Sequence, residues 1–407
     1  MESDLCGAPV RIGIYLGEFR PEDGGAYTFV ADILGSFLQI ARSSKHSFVV
    51  MCDPGSVHAV GQQITTQNVS VVPVAKQRWL ARKVVGLKWF SPLFRWLWRQ
   101  PGPVERVARH QKLELLWFVG VGAYESPEMP YITPLWDLQH RLQPFFPEVS
   151  TKGSWDMREL FFSFFLRRAA YCLTGTETGK REIQHLYQLA ESRVRVFPLP
   201  TPKFVLEAPP TSLDVSRRFG IENEYVFYPA QFWPHKNHVN LILALKWLKS
   251  ERGLDLSLAL TGADKGNLEF VKHFAGQQGM ADRVHFLGFV TTEEMIALYR
   301  QAKALTFVTY FGPDNIPPLE GFALGCPVIA STVDGAMEQY GDAALYVDGS
   351  SPEDIGDAIW RLHTDIELRT TLVETGYTRG SRWTSIDYTK KLFDLFDEFS
   401  AVRRNWA

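Results

Sequence analysis

The sequence is poor in cysteine and contains no long hydrophobic run. Its cysteines are scattered and form no C-x-x-C pair; they are Cys6, Cys52, Cys172 and Cys326. This pattern argues against a disulfide framework and favours reduced thiols in the cytosol. No stretch of about 18 apolar residues occurs, so no transmembrane helix is predicted. The first ten residues carry Glu2 and Asp4 without an apolar run, and we therefore expect no signal peptide.

The chain also lacks an excess of either charge. Its formal net charge is −2, its hydrophobic content is 45% and its charged content is 22%, all ordinary for a globular protein. This balance argues against a nucleic-acid-binding protein as a class. No internal repeat or low-complexity tract is visible. At 407 residues the chain is long enough for two or three domains.

Short apolar segments alternate with helical patterns in two series, which predicts an α/β fold with parallel sheets. The first series of predicted strands covers Val10–Phe19, Phe48–Met51, Val69–Val74, Leu113–Val121, Tyr131–Leu135, Tyr171–Gly175 and Val194–Phe197. The second covers Tyr225–Tyr228, Leu256–Leu260, Val284–Phe286, Leu305–Thr309, Val328–Ala330 and Ala344–Val347. Pro352–Val373 is predicted to be one long helix.

Five prolines between Pro198 and Pro210 separate the two series. Such a density is typical of a linker rather than a regular element. The predicted organisation is a first domain over residues 1–198, a linker over 199–222, a second domain over 223–384 and a last helical segment over 385–407.

The segment from Phe307 to Ser331 predicts a strand, a Gly- and Pro-rich loop, a helix and a second strand. Asn315 is placed to cap the helix, which begins with Ile316 and carries Glu320 about one turn in. A helix N-terminus suits a phosphate, and a carboxylate just behind it suits a ribose. An ordinary βαβ unit with a surface glutamate is the alternative interpretation.

The segment from Tyr228 to His238 has the same strand–loop–helix pattern. Lys236 lies at the helix entrance, where its ammonium is placed to neutralise a diphosphate. His235 and His238 are three residues apart, but no third ligand accompanies them, so no metal site is expected.

These two segments resemble the donor-binding loops of retaining GT-B glycosyltransferases of family 4. Ile316-Pro317-Pro318-Leu319-Glu320 matches the second half of the family pattern E-G-F-G-L-P-P-L-E, and Lys236-Asn237 matches its K-N pair. Two family residues are missing, because Gly312 replaces the first glutamate and Gln231 replaces an arginine. The resemblance is strongest from Tyr228 to Asp348.

The resemblance implies a GT-B architecture of two Rossmann-like, doubly wound domains facing a cleft, with residues 385–407 returning to the first domain. It implies binding of a nucleotide-sugar donor, with Lys236 on the diphosphate and Glu320 on the ribose. The other implied donor-binding residues are Asn315, Ile316, Gly24, Gly25, Thr176 and Gly262. Gly24-Gly25 reads equally as a plain turn.

Asp137 and His140 follow a predicted strand of the first domain and resemble a D-x-x-H motif of the family. On that basis they face the cleft, with His140 near the sugar or acceptor hydroxyls, a role that suits a group titrating near neutral pH. The alternative is a helix cap followed by a surface histidine.

The implied reaction is transfer of a sugar, with retention, to a glycan or lipid-linked glycan acceptor in cell-surface polysaccharide synthesis. No Asp in the chain is followed by another Asp two residues later. Without that diphosphate-binding metal motif, a metal-independent mechanism without a cofactor is expected, with positive groups and helix ends taking the leaving charge. The two missing family residues keep open a non-catalytic subunit that binds a nucleotide sugar or a partner enzyme.

Residues 76–99 carry seven Lys and Arg residues and four of the chain's 12 tryptophans, and no Asp or Glu occurs from Pro54 to Val104. Basic residues mixed with aromatic rings at helical spacing are typical of a segment that lies on an anionic membrane surface. A helical pair packed on the first domain is the main alternative. The expected location is cytoplasmic, with peripheral binding to the inner face of the membrane; a nucleic-acid patch is disfavoured by the neutral remainder.

If residues 76–99 bind a membrane, the protein will co-sediment with anionic liposomes, and less so at high salt because exposed charges are screened. Replacing Arg95, Trp96, Trp98 and Arg99 together should release it into the supernatant. A wild-type protein that stays in the supernatant at low salt would indicate that the segment is structural.

Overall fold

The computed structural model describes residues 8–17, 19, 25–75, 101–121 and 125–406, with the side chains of residues 25 and 26 excepted. Gly24 and the basic segment 76–99 therefore lie outside the described residues. The chain divides into two compact units. The first comprises Met1–Leu142, Ser150–Phe197 and Ser385–Ala407, and the second comprises Gln143–Val149 and Pro198–Thr384.

The first unit is built on a seven-stranded sheet whose strand pairs are all parallel, in the order β3-β2-β1-β4-β5-β6-β7. Its strands are β1 (Arg11–Gly17), β2 (Ser47–Cys52), β3 (Val69–Pro73), β4 (Leu115–Phe118), β5 (Tyr131–Pro134), β6 (Tyr171–Thr174) and β7 (Val194–Val196). Its central strands are almost wholly buried, as expected of a parallel sheet covered on both faces.

Helices connect these strands. They are α1 (Gly25–Ala41), α2 (Val57–Gly61), α3 (Pro103–His110), α4 (Gln139–Leu142), α5 (Pro147–Ser150), α6 (Ser154–Arg168) and α7 (Glu177–Tyr187). The last helix of the chain, Ser385–Arg403, packs against α1 in the first unit: Phe37 meets Phe393 at 5.7 Å between ring centroids, and the Ser36 and Thr389 hydroxyls are 2.7 Å apart. The C-terminal segment thereby completes the core of the first unit.

The second unit has a six-stranded sheet in the order β10-β9-β8-β11-β12-β13, again with every pair parallel. Its strands are β8 (Tyr225–Pro229), β9 (Ser257–Thr261), β10 (Val284–Gly288), β11 (Leu305–Phe307), β12 (Val328–Ser331) and β13 (Ala344–Val347). The parallel pairing and the helices between strands confirm the predicted α/β, doubly wound class.

The helices of the second unit and the last helix continue the numbering. They are α8 (Lys203–Leu206), α9 (Val215–Phe219), α10 (His238–Arg252), α11 (Leu268–Gln277), α12 (Thr292–Gln301), α13 (Ile316–Ala323), α14 (Ala336–Tyr340), α15 (Pro352–Thr364), α16 (Ile366–Ser381) and α17 (Ser385–Arg403). The single helix predicted over Pro352–Val373 is two helices, because the Asp365 side chain accepts the Leu368 N–H and caps the second.

The segment predicted to be a linker, 199–222, is not an irregular connection. It contains α8 and α9, and Val205, Val215 and Ile221 are buried in the core of the second unit. Prolines do not prevent this, because Pro202 lies at the N-cap of α8, where no intrahelical N–H is required. The interpretation that the prolines exclude a regular element here is therefore wrong, and the segment belongs to the second unit.

Both sheets reverse their strand order at one place, between β1 and β4 in the first and between β8 and β11 in the second. In open parallel sheets, ligands bind beyond the carboxyl ends of the strands at this reversal. The loops after β8 and β11 carry Lys236 and the stretch from Gly312 to Glu320. The topology of the second unit thus brings the two loops singled out by the sequence to one edge. No described helix is long and apolar enough to cross a membrane.

Candidate functional site

Lys236 ends a short 3-10 helix, Pro234–Lys236, between β8 and α10. Its Nζ lies 5.1 Å from the centroid of the Phe307 ring, at the end of β11. The Tyr228 hydroxyl donates to the Lys236 carbonyl at 2.9 Å, which holds this turn against the end of β8. The ammonium is therefore held next to the gap between the two central strands.

The loop after β11 is bonded directly to the loop after β8. The Tyr310 N–H and the Thr309 hydroxyl both donate to the His235 carbonyl, at 2.9 and 3.2 Å. Asn237 Nδ2 donates to the Val308 carbonyl at 2.9 Å. These donors and acceptors are buried or partly buried, and their hydrogen bonds join the two loops directly.

The entrance of α13 differs from the prediction for Asn315. Asn315 occupies the N-cap position, but its side chain caps nothing and instead donates from Nδ2 to the Gly312 carbonyl at 3.0 Å. Its own N–H donates to Gln339 Oε1 at 2.7 Å. Pro317 and Pro318 have no N–H, so Ile316 supplies the remaining donor of the first turn. An anion at this end would meet one N–H and the helix dipole.

Gly312, which replaces the family glutamate, has a backbone conformation that favours glycine. Its φ is +122°, and a Cβ built on it would lie 2.9 Å from Asn315 Nδ2. The Asn315 amide therefore occupies the space that a side chain at 312 would need. The missing glutamate is a property of the whole loop, since restoring a side chain requires a different backbone.

Glu320 is partly buried on α13, and its Oε2 accepts a hydrogen bond from the buried Tyr299 hydroxyl at 2.5 Å. Burial raises the pKa of Glu320 to about 7, and the Tyr299 bond only partly opposes this. Near neutral pH this carboxyl is therefore divided between its protonated and ionised forms. A ribose hydroxyl or a neighbouring cation would shift that balance.

Two other donor-loop positions have local structural roles. Gln231 Oε1 accepts a hydrogen bond from Trp233 Nε1 at 3.0 Å. Gly262 has φ +137°, and a Cβ there would lie 2.5 Å from the Ala230 carbonyl oxygen. The close approach of the β8 and β9 ends therefore explains Gly262 by packing, without a ligand.

His140 lies inside the first unit, not at an accessible surface. Its ring is fully buried on α4, and Nε2 is 3.2 Å from the Tyr187 hydroxyl and 3.3 Å from Glu159 Oε2. Burial lowers the pKa of His140 to about 4, so it is neutral at physiological pH. The alternative of a surface histidine is therefore wrong, whereas contact with sugar or acceptor hydroxyls stays a prediction.

Asp137 and Thr176 hold helix ends in the first unit. Asp137 Oδ1 accepts the Gln139 N–H at 3.0 Å and pairs with Arg158 Nη2 at 2.5 Å. The Thr176 hydroxyl accepts the Gly179 N–H at 3.0 Å and caps α7. These bonds give both residues structural partners. Gly25 begins α1, and its neighbour Gly24 is beyond the described residues.

Sequence reasoning missed three residues that shape the site: Gln339, Tyr299 and Glu148. Gln339 holds both backbone groups of Asn315, since its Nε2 also donates to the Asn315 carbonyl at 2.8 Å. Each is distant in sequence from the loop it contacts, and none belongs to a motif. Only three-dimensional packing identifies them.

The fold now defines a class of protein. A solved structure, Anabaena Alr3699/HepE in complex with UDP-glucose, matches with a TM-score of 0.68 and 15% identity over 96% of this chain and 100% of that chain. At this identity the likeness establishes the fold alone, which is GT-B. The predicted fold class is confirmed.

Part of the sequence matches a family model. Residues 215–379 match the model of the family described as Glycosyl transferases group 1. This part of the second unit is thus similar to the group 1 glycosyltransferases, which confirms the resemblance found from its loops. The matched region contains both Lys236 and Glu320.

Two curated relatives each match more than half of this chain. D-inositol 3-phosphate glycosyltransferase of Acidothermus cellulolyticus is 26% identical over 246 residues, 58% of this chain and 54% of that protein. O-antigen chain mannosyltransferase B of Escherichia coli is 26% identical over 252 residues, 61% of this chain and 66% of that protein. The chain therefore spans between about half and two thirds of these relatives.

The raised pKa of Glu320 predicts a specific pH dependence of stability. Because the folded-state pKa lies above the ordinary glutamate value of 4.5, the stability of the unliganded protein falls as pH rises from about 4.5 to about 7. Glu320→Gln removes this loss, so the variant should gain stability over wild type at pH 8 and not at pH 4.5. Urea unfolding at both pH values measures the difference in the free energy of unfolding between Glu320→Gln and wild type.

The exposed glutamate Glu293 on α12 gives a control for loss of one negative charge, as Glu293→Gln. If the difference in the free energy of unfolding between Glu320→Gln and wild type were equal at both pH values, it would contradict the assigned titration.

Proposed function

We propose that the protein is a glycosyltransferase that moves a sugar from a nucleotide-sugar donor to a glycan or lipid-linked glycan acceptor. The observation that carries the proposal is the joined pair of loops after β8 and β11, which brings Lys236, Ile316 and Glu320 to the strand-order reversal of a group 1 glycosyltransferase domain.

The donor diphosphate is proposed to lie between Lys236 and the N-terminus of α13. Lys236 supplies a full positive charge, and α13 supplies the Ile316 N–H together with its dipole. When the sugar leaves, negative charge grows on the diphosphate, and preorganised positive groups stabilise that charge. The absence of an Asp-x-Asp motif from the sequence supports a reaction that does not need a bound metal.

Glu320 is proposed to bind the ribose. It lies on α13 behind the phosphate end, and Tyr299 fixes the orientation of its carboxyl. A carboxylate accepts two hydrogen bonds from vicinal hydroxyls, which suits a ribose. Retention of configuration is proposed from the match to family 4 loops.

The acceptor and cellular location are proposed more broadly. One relative is named for mannosyl transfer in O-antigen chains and the other for transfer to D-inositol 3-phosphate. A glycan acceptor in cell-surface polysaccharide synthesis accords with the first. Cytoplasmic location, with attachment to the membrane through residues 76–99, is part of this proposal and is tested by the liposome experiment.

A second candidate function is a non-catalytic subunit that binds a nucleotide sugar. It is favoured by two observations: Gly312 leaves no room for a side chain, and Gln231 is bonded to Trp233 in place of the family arginine. The two candidates share donor binding and differ in turnover. Release of nucleotide from a bound nucleotide sugar, with and without acceptor glycans, separates them.

The donor site is tested by binding. In a thermal-shift screen of UDP, GDP, ADP and their glucose and mannose esters, at least one compound should stabilise the wild-type protein. Loss of a charge-assisted contact to phosphate costs about 1.5–3 kcal/mol. Lys236→Ala and Glu320→Ala should therefore each weaken binding of that compound by roughly tenfold or more in calorimetry.

Lys246→Ala is the matched control, because Lys246 is an exposed lysine on α10 in the same unit. It should bind as wild type does. Unchanged affinity in both site variants would refute the donor assignment.

A further inference from the structure

A short segment from the first half of the chain packs into the second unit. Residues Gln143–Val149 belong to that unit, whereas the chain before and after them belongs to the first. We name Gln143–Val149 the strap. Its contacts lie on the two donor loops, which makes it a candidate for a role in the proposed reaction.

The strap meets the loop after β11 through an amide and a ring. Gln143 Nε2 donates to the Tyr310 carbonyl at 3.2 Å. The Phe146 ring lies 5.6 Å from the Tyr310 ring and 5.4 Å edge-on from the Phe311 ring, measured between centroids. These contacts fix the residues immediately before Gly312.

The strap meets the loop after β8 through hydrogen bonds that Glu148 accepts from His235. Glu148 Oε1 accepts the His235 N–H at 3.1 Å and the His235 Nδ1–H at 2.5 Å. The Glu148 side chain is only 6% exposed and that of His235 only 10%. Burial alone would raise the pKa of Glu148, but its hydrogen bonds, chiefly from His235, leave that pKa lowered. Glu148 is therefore ionised, and His235 is its partner.

His235 in turn contacts both loops at the proposed diphosphate position. Its ring stacks on Phe311 at 3.9 Å between centroids and 13° between planes. Its carbonyl accepts the bonds from Thr309 and Tyr310, and the next residue is Lys236. Glu148 thus bonds to His235, the chain neighbour of the proposed phosphate ligand Lys236. Its effect on Lys236 is therefore indirect.

Glu148 has one further feature that its structural bonds do not explain. Its Oε2 is buried and has no hydrogen-bond partner among the described residues. A buried carboxylate oxygen without a donor is costly. Burying the ionised Glu148 carboxylate costs more free energy than burying a neutral or apolar side chain would. This cost is expected if the negative charge has a role in the site.

We propose that Glu148 is a positioning residue for the donor: through His235, it holds Lys236 and the loop after β11 in the geometry that binds the diphosphate. This rests on the proposed function, since it assigns a residue to the same donor site. Glu148 itself touches no substrate. The strap therefore preorganises the loops, so that less ordering accompanies donor binding.

The test measures donor affinity and kinetics in the full chain, using UDP-glucose and GDP-mannose as probes. Glu148→Ala should weaken binding of the probe that binds wild type by about fivefold or more. Glu148→Gln keeps a neutral acceptor for the His235 N–H, so its affinity for the probe should lie between those of wild type and Glu148→Ala. Where turnover is measurable, the donor KM should rise more than kcat falls.

A double-mutant cycle identifies the route of the effect. His235→Phe retains a ring to stack on Phe311 and removes the Nδ1 donor. If Glu148 acts through His235, adding Glu148→Ala to His235→Phe should weaken binding little further. Additive losses would overturn the proposal.

Glu294→Ala separates positioning from general destabilisation. Glu294 is also a buried glutamate of the second unit, bonded to the Thr291 N–H at 2.8 Å and to Arg218 at 2.6 Å. The Glu294→Ala variant should unfold at a lower urea concentration than wild type but bind the probe with unchanged affinity. Wild-type affinity in Glu148→Ala alongside a weakened Lys236→Ala overturns the positioning role and leaves the proposed function standing. If wild type binds none of the compounds of the thermal-shift screen, the proposed function itself fails.

Discussion

The candidate site depends on one carbonyl oxygen, that of His235. It accepts hydrogen bonds from both Thr309 and Tyr310, and so joins the ends of β8 and β11. Parallel strands diverge at their carboxyl ends where the strand order reverses, which leaves a gap that must be bridged by something other than sheet bonds. Here the bridge is made by one backbone bond, from the Tyr310 N–H to the His235 carbonyl, and by two side chains, since the Thr309 hydroxyl donates to the same carbonyl and Asn237 donates to that of Val308. As a consequence, Lys236 on the loop after β8 and the N-terminus of α13 after the other loop lie at the same edge of the sheet.

The electrostatics of the site follow from that bridge. The first turn of α13 has lost most of its donors to Pro317, Pro318 and the Asn315–Gln339 pairing. A full charge on Lys236 therefore has more to contribute than in a helix with a free first turn. The carboxyl of Glu320 is desolvated and has a raised pKa, so the proposed binding of ribose hydroxyl groups would require little further dehydration. The site combines one permanent cation with one adjustable anion.

Much of the fold could be predicted from the sequence, because buried parallel strands are encoded locally. All six strands of the second unit and the loops after β8 and β11 were found from apolar runs and from the glycines and prolines that follow them. What failed depended on distant partners. His140 is enclosed by Tyr187 and Glu159, which lie 47 and 19 residues away.

The same reason explains the other errors and omissions. Asn315 bonds to Gly312 instead of capping α13, because the positive φ of Gly312 leaves its carbonyl within reach. Glu148 and His235 are 87 residues apart, and no spacing rule connects them. The helices within 199–222 form because Val205 and Val215 have a core to enter. Local propensity yields to tertiary packing in each case.

Hydrogen exchange with and without a saturating nucleotide sugar measures the central claim most directly, because it locates ligand-induced protection along the chain. The account predicts slower exchange in residues 231–240 and 308–322, which contain the joined loops and the first turns of α10 and α13. Protection confined to segments of the first unit, with both of these ranges unchanged, would contradict it.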